Sequence, residues 1–559
     1  MAGLNRFSRR VKAYTKRRLP TPVKTGLLRA TAEKHLRNRD GLEISTFQLS
    51  SVIARRWEGA FSIDAVPATQ IEEFTSLLKA QGVDYFISRS NQAYHRSVGV
   101  HERHRATVLG ILRASYCDRG YYIRQDTGYT LFTENLLLKR REDDVFRLGE
   151  YVIGETGPAV TGPAHGFSIE FWCEGKTLLD GSERSRKKLE NLRVVVPEDI
   201  LRESLVGPQL NPVCEVLPPE ACKPASITLG NTVHPTLEAF TWDLATDISF
   251  PIDAVYTWVD GDDEEWAAKR NAYLGDSGRL NPDSASKARY TSRDELRYSL
   301  RSLEMFAPFI RNVYIVTDGQ RPSWLRSDHP RVRVVDHKEI FRDPSVLPVF
   351  NSHAIESQLH HIDGLAEHYL YLNDDVFFGR PVAPTKFFHP NGLAKLNPST
   401  YRFGLGAAGV EDQPVDAAAK QNSVLIKERF GKVPTTKFKH TPISQRRSVL
   451  EEMEKEYPDV FRRTAASRFR HPEDHSIPSS LHNYYAMLSG RAVFGSLRYT
   501  YLNLANLEAV QERIHELLTH RNYDSFCVND TTPAEDDTSA RHIDRFLKDY
   551  FPFKSSFEK

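Results

Sequence analysis

Two apolar runs, each ending in a cluster of acids, constrain this chain more than any other feature. Ile252, Ala254, Val255 and Tyr256 lead into Trp258-Val259-Asp260-Gly261-Asp262-Asp263, and Tyr369–Leu372 leads into Asn373-Asp374-Asp375. A short apolar run bounded by turn residues reads as a buried strand, so both strands deliver carboxylates to their C-terminal ends. Around them the pattern predicts strands Val313–Thr317 and Val332–Val335, a helix opening at Arg293, and a helix over Ser352–His361. The first helix carries the stripe Leu296, Leu300, Leu303 behind a capping-box spacing, Ser292-Arg293-Asp294-Glu295. Strands alternating with helices imply an α/β class with a mainly parallel sheet, where ligands bind at the carboxyl ends of strands.

This expected catalytic domain occupies residues 251–559. Ahead of it, residues 60–126 read as strand, helix, strand, strand, helix, strand, beginning with Phe61–Val66 as a strand. That βαββαβ order predicts a small ferredoxin-like unit within an α+β accessory segment, 41–126. Residues 127–250 hold short β-like stretches separated by Gly and Pro and read as a β-rich accessory region. Nothing in 41–250 groups carboxylates, histidines and nucleophiles together, which assigns those residues to recognition, assembly or support.

Among the 559 residues, 40% are hydrophobic and 26% charged, ordinary globular usage. No stretch approaches the roughly 18 consecutive apolar residues that span a bilayer. Five cysteines without a C-x-x-C pair argue for a reducing, cytoplasmic interior. The net charge of +2 conceals a basic head: residues 1–40 carry 12 Lys/Arg against 2 Asp/Glu. There Leu4, Phe7, Val11 and Tyr14 fall at helical spacing among Arg and Lys, a basic amphipathic segment suited over residues 1–20 to an anionic membrane surface. The expected location is therefore cytoplasmic, peripheral at the inner face of the membrane. With no finger spacing or interleaved basic-aromatic strip, nucleic acid is excluded as a partner.

The acid clusters at Asp260 and at Asn373-Asp374-Asp375 can share one sheet rim and one metal, although acids at strand ends also serve as turn and cap residues. Carboxylate oxygens suit Mg²⁺ or Mn²⁺, ions that keep substrate phosphates among their ligands. Arg293, in an expected first helical turn where the macrodipole disfavours a cation, is a candidate for donor phosphate. Arg297 and Arg301 on the same stripe read as salt-bridge partners. His353 and Glu356, three apart at a helix start, are candidates to bind substrate, orient a base or bind metal. His440 in a loop is a candidate base, and Arg470 in Arg470-His471-Pro472-Glu473-Asp474-His475 a candidate charge stabiliser. Asp530, just ahead of a helix N-terminus, is either a cap-adjacent acid or a further metal and diphosphate ligand.

Four ordered blocks carry a family resemblance. They are Ile252 through Gly261; Ser292 through Ser302 with Val313–Gln320; Asn351-Ser-His-Ala-Ile-Glu356 with Tyr371-Leu-Asn-Asp-Asp-Val-Phe-Phe-Gly379; and Cys527-Val-Asn-Asp530 through Glu558. They resemble the Stealth family of sugar-phosphate transferases, which unites bacterial capsule and exopolysaccharide enzymes with the catalytic subunit of the lysosomal-enzyme N-acetylglucosamine-1-phosphotransferase. The resemblance implies a nucleotide-sugar transferase-like catalytic domain that moves hexose-1-phosphate from a nucleotide-sugar donor to a polysaccharide hydroxyl. The products would be a phosphodiester and a nucleoside monophosphate. It assigns metal and donor contacts to Asp260, Arg293, Asn373, Asp374 and Asp375, with Asp375 a catalytic residue as well, and matches His440, Arg470 and Asp530 to residues of the lysosomal enzyme. This chain lacks that enzyme's membrane spans and cysteine-rich inserts, so a bacterial envelope polysaccharide is the expected acceptor. The competing expectation is a metal-dependent glycosyltransferase that attacks the anomeric carbon and releases a nucleoside diphosphate.

Overall fold

The computed structural model describes residues 41–274, 290, 292–504, 507–529 and 537–559. The basic segment 1–40, with its expected membrane helix, and Asp530 lie outside the described residues. The chain divides into two compact units, Met1–Gly59 with Ile63–Trp242 and Ala60–Ser62 with Asp243–Lys559.

The first unit is built on a ten-stranded sheet whose main path runs, by residue, 224–229, 232–237, 85–89, 96–101, 167–174, 145–149, 122–125, 128–131. Strands from 41–126 and 127–250 interleave in it, with Arg96–His101 parallel to Phe167–Glu174, so one sheet spans both accessory segments. The expected ferredoxin-like unit is corrected. Phe61–Val66 forms no strand, because a helix starts at Ala65 and runs to Ala80. Pro67 sits in its first turn, where a fixed φ and a missing N–H cost nothing. Ile71, Phe74 and Leu78 then bury one helical stripe.

In the second unit, strands β1 (Ile252–Thr257), β2 (Ile310–Thr317), β3 (Val332–Asp336), β4 (His368–Asn373) and β5 (Ile443–Arg446) form a sheet ordered β3-β2-β1-β4-β5. The first four run parallel and β5 is antiparallel to β4. The chain leaves β1 toward β2 on one side and returns as β4 on the other, so a switch point opens at the carboxyl ends of β1 and β4. There Thr257 pairs with Asn373. Asp253, fully buried within β1, is accommodated because Arg311 grips both its oxygens at 2.9 and 2.7 Å and Ala366 N–H donates to it at 2.8 Å.

Helix α1 (Glu295–Phe306) buries Leu296, Leu300 and Leu303. Its start differs from the expected one: Asp294, in the left-handed region at φ 62°, precedes the first turn, and Ser292 and Arg293 stand outside the helix. Glu295 instead folds back to accept the Arg293 N–H at 2.5 Å. Arg297 and Arg301 converge on Glu558, whose side chain is 1% exposed, through bonds of 2.6, 2.7 and 2.8 Å. Burial alone would raise the Glu558 pKa, but Arg301, the Ser555 N–H and Arg297 outweigh it and bring it to about 2. The expected helix 352–361 is split into α2 (Ser352–Glu356) and a 3₁₀ turn at Leu359–His361. A second, three-stranded sheet orders β6 (Val376–Phe378), β8 (Ser525–Asn529) and β7 (Tyr499–Asn503), with β8 central.

Candidate functional site

The site grows from the carboxyl end of β4. Asn373, Asp374 and Asp375 are half-buried there, because β4 ends and β6 begins at Val376. Asp375 is gripped by three donors. His440 Nε2 lies 3.2 Å from Oδ1, while the Cys527 thiol at 3.2 Å and the Asn529 amide at 3.1 Å donate to Oδ2. The backbone repeats the attachment, since the Val528 N–H donates to the Asp375 carbonyl at 3.1 Å. Burial opposes ionisation of Asp375, yet His440, Cys527 and Asn529 win and hold its pKa below the ordinary carboxylate value. Burial likewise lowers His440, and Asp375 more than reverses this, so the imidazole becomes more basic. Its side chain remains 38% exposed. A histidine oriented by a half-buried carboxylate through one ring nitrogen, with the other nitrogen left for a reactant, is the arrangement of a general base.

Asp374 has the opposite environment. Burial first, then the charges of Asp375 and Glu295, push its pKa well above the usual range. Glu295 is raised too, by burial against the Arg293 contact. Carboxylates crowded beyond their local counter-charge fit a divalent cation, and oxygen donors select Mg²⁺ or Mn²⁺ over softer metals. Burial and Asp375 raise the Cys527 thiol well above its ordinary value, and it donates to Asp375 as a neutral thiol. Asp260 caps the Asp262 N–H at 3.1 Å and is locked through its backbone to the Gln320 amide at 3.0 and 2.9 Å. Among the described residues, the groups of three or more ligating side chains within 4.8 Å are Asp375, His440, Cys527 and His360, His361, Glu454; Asp260 and Asp374 belong to neither. In the latter group both imidazoles share the Glu454 carboxylate at 3.1 and 3.0 Å.

The remaining expected residues fall in two layers. Glu356 is buried, accepts the Ser479 hydroxyl at 3.0 Å, and lies near enough to His440 to raise its basicity. His353 is buried beside Asp474 at 3.7 Å. Asp474 also accepts from the Asn351 amide at 2.8 Å and the His471 N–H at 2.9 Å, which fastens the 467–475 loop to the N-cap of α2. Arg470 from that loop donates to the Ser352 hydroxyl at 2.6 Å, and its charge acts on His440. Arg293 is half-buried at the foot of α1. Glu295, Cys527 and Asp474 were missed as site-building residues by sequence reasoning. Glu295 reads only as a capping residue, and a buried cysteine 152 residues from its partner leaves no spacing signal.

All four conserved regions of the Stealth proteins match this chain: region 1 over residues 250–278, region 2 over 289–396, region 3 over 439–487 and region 4 over 515–559. The exopolysaccharide phosphotransferase SCO6023 of Streptomyces coelicolor is 42% identical over 506 residues, spanning 88% of this chain and 82% of that protein. The exopolysaccharide phosphotransferase CpsY of Mycobacterium tuberculosis is 39% identical over 401 residues, 71% of this chain and 70% of its own length. A crystal structure of the galactosyltransferase LgtC aligns with 54% of this chain and 96% of its own, at 12% identity and a TM-score of 0.28.

Proposed function

Because this chain belongs to the Stealth family, we propose that it is a sugar-phosphate transferase moving hexose-1-phosphate from a nucleotide-sugar to a hydroxyl of a cell-envelope polysaccharide. The observation that carries this reading is the His440–Asp375 pair beside the crowded Asp374 and Glu295 carboxylates: a base next to a place for a cation. Asp375 holds His440 through Nε2, and Nδ1 accepts the proton of the acceptor hydroxyl. The acceptor oxygen bonds to the sugar-bearing phosphorus, the bond from that phosphorus to the bridging oxygen breaks, and nucleoside monophosphate leaves with the electron pair. Arg293 and Arg470 hold phosphate oxygens as guanidinium forks, and Asn373 faces the donor. His353 and Glu356 position the loop and the base from below.

Asp374, with Asp260 on the neighbouring strand end, would hold Mg²⁺ or Mn²⁺; when bound, such an ion supplies positive charge to the diphosphate. Asp375, expected from sequence both as ligand and as catalytic residue, serves here to orient His440, since both its oxygens are engaged by donors. Chelation by EDTA is expected to reduce turnover by about 10²-fold or more, with recovery on adding Mg²⁺ or Mn²⁺. Full activity in EDTA would remove the metal from this account.

The reaction itself is tested with a nucleotide-sugar labelled at the phosphate adjoining the sugar. Attack at phosphorus transfers that label to the polymer and yields nucleoside monophosphate. Attack at the anomeric carbon leaves the polymer unlabelled and yields nucleoside diphosphate, which would overturn the phosphotransferase reading in favour of a glycosyltransferase.

A further inference from the structure

Strand β7 presents a face that the reaction above leaves unused. Its residues alternate, with Thr500 and Leu502 buried, Tyr499 half-buried, Asn503 exposed and Tyr501 exposed at 42%. β7 runs parallel to β8 in register, pairing Tyr499 with Ser525, Tyr501 with Cys527 and Asn503 with Asn529. Residues paired across neighbouring strands share a sheet face. Tyr501 therefore stands beside Cys527 on the face whose Cys527 and Asn529 hold Asp375. Burial first, then Cys527 and Asp375, raises the pKa of both phenols, which keeps the rings neutral.

We propose that Tyr501, flanked by Tyr499, is the platform on which a pyranose ring of the acceptor polysaccharide stacks. A pyranose carries C–H groups on its faces and hydroxyls at its edge, so it meets an aromatic face without losing hydration of its polar rim. The position suits the acceptor rather than the nucleotide. Neighbouring strands lie about 4.8 Å apart and β8 stands between β7 and β6, so a ring on Tyr501 lies about two strand spacings, roughly two sugar widths, from the carboxylate that orients His440. A ring one or two residues further along the same polymer then brings its hydroxyl to His440. The identity of this ring as the acceptor rests on the phosphotransferase reading; the presence of a sugar platform does not.

The test titrates maltohexaose, cellohexaose and mannohexaose, and separately uridine monophosphate, into the full chain and its variants by saturation-transfer NMR and calorimetry. At least one hexaose is expected to bind the wild type, with Tyr501→Ala weakening it by about tenfold or more and Tyr501→Phe and Tyr501→Trp staying within about threefold. Circular dichroism checks that the alanine variant folds, and the two aromatic variants keep the question decidable if it does not. The platform is overturned if no hexaose binds, if Tyr501→Ala binds as the wild type does, if Tyr501→Phe loses binding, or if the loss falls on uridine monophosphate instead. Should the labelled phosphate never reach a polymer while hexaose binding still depends on Tyr501, the reaction assigned above fails and the platform stands.

Discussion

Asp375→Asn is expected to lower turnover by roughly 10³–10⁴-fold while leaving the fold intact, the scale seen when an orienting carboxylate behind a histidine base becomes an amide. The reason is a donor count. Asp375 receives three donors, from His440, Cys527 and Asn529. An asparagine offers one oxygen and one NH₂. If its NH₂ turns to His440, Nε2 must become an acceptor and the ring proton moves to Nδ1, the atom required for the acceptor's proton. If the NH₂ turns the other way, it confronts the thiol and the Asn529 amide, both donors. Turnover of the labelled donor, with thermal unfolding as the check on folding, measures this. Activity within about tenfold of the wild type would end the role of Asp375, and recovery of the variant at raised Mg²⁺ would identify it as a metal ligand instead.

Glu558→Gln is expected to lose about 3–5 kcal/mol of stability at neutral pH, because removing one partner of a buried ion pair strands the other. Arg301, itself buried, would keep its charge without the carboxylate. The folded-state pKa of about 2 lies below the ordinary value of 4.5, so the stabilisation is complete above about pH 4.5 and is lost as pH falls toward 2. That displacement by itself corresponds to about 3 kcal/mol, consistent with the mutational figure. Urea unfolding of both proteins at pH 7 and pH 3 checks it: the gap between them should narrow in acid. A gap that is small at pH 7, or unchanged at pH 3, would show that the pair does not stabilise the fold.

What could be read from the sequence divides by range. The strands at Ile252–Thr257 and His368–Asn373 were legible because strands buried on both faces are nearly continuous in apolar residues, and the acids after them mark where burial ends. The true start of α1 was not, since Ser292-x-x-Glu295 fits a capping box equally well and only the left-handed Asp294 moves the first turn. Phe61–Val66 misled because its alternation resembles a strand while Pro67 already belongs to a helix. At the site, Asp375 and His440 each drew attention singly, but their pairing spans 65 residues and no local rule connects them. The same holds for Glu558, 257 residues from Arg301.

That last separation bears on how the protein is made. A ribosome adding about 5–20 residues per second needs roughly 13–50 s to travel from Arg301 to Glu558, and β8, the middle strand of its sheet, also emerges late. Throughout that interval α1 is already synthesised with its guanidinium groups unmatched, and β6 waits about 150 residues for the central strand it pairs with. The second unit therefore closes in a late step, once its C-terminal residues reach Arg301 and β6.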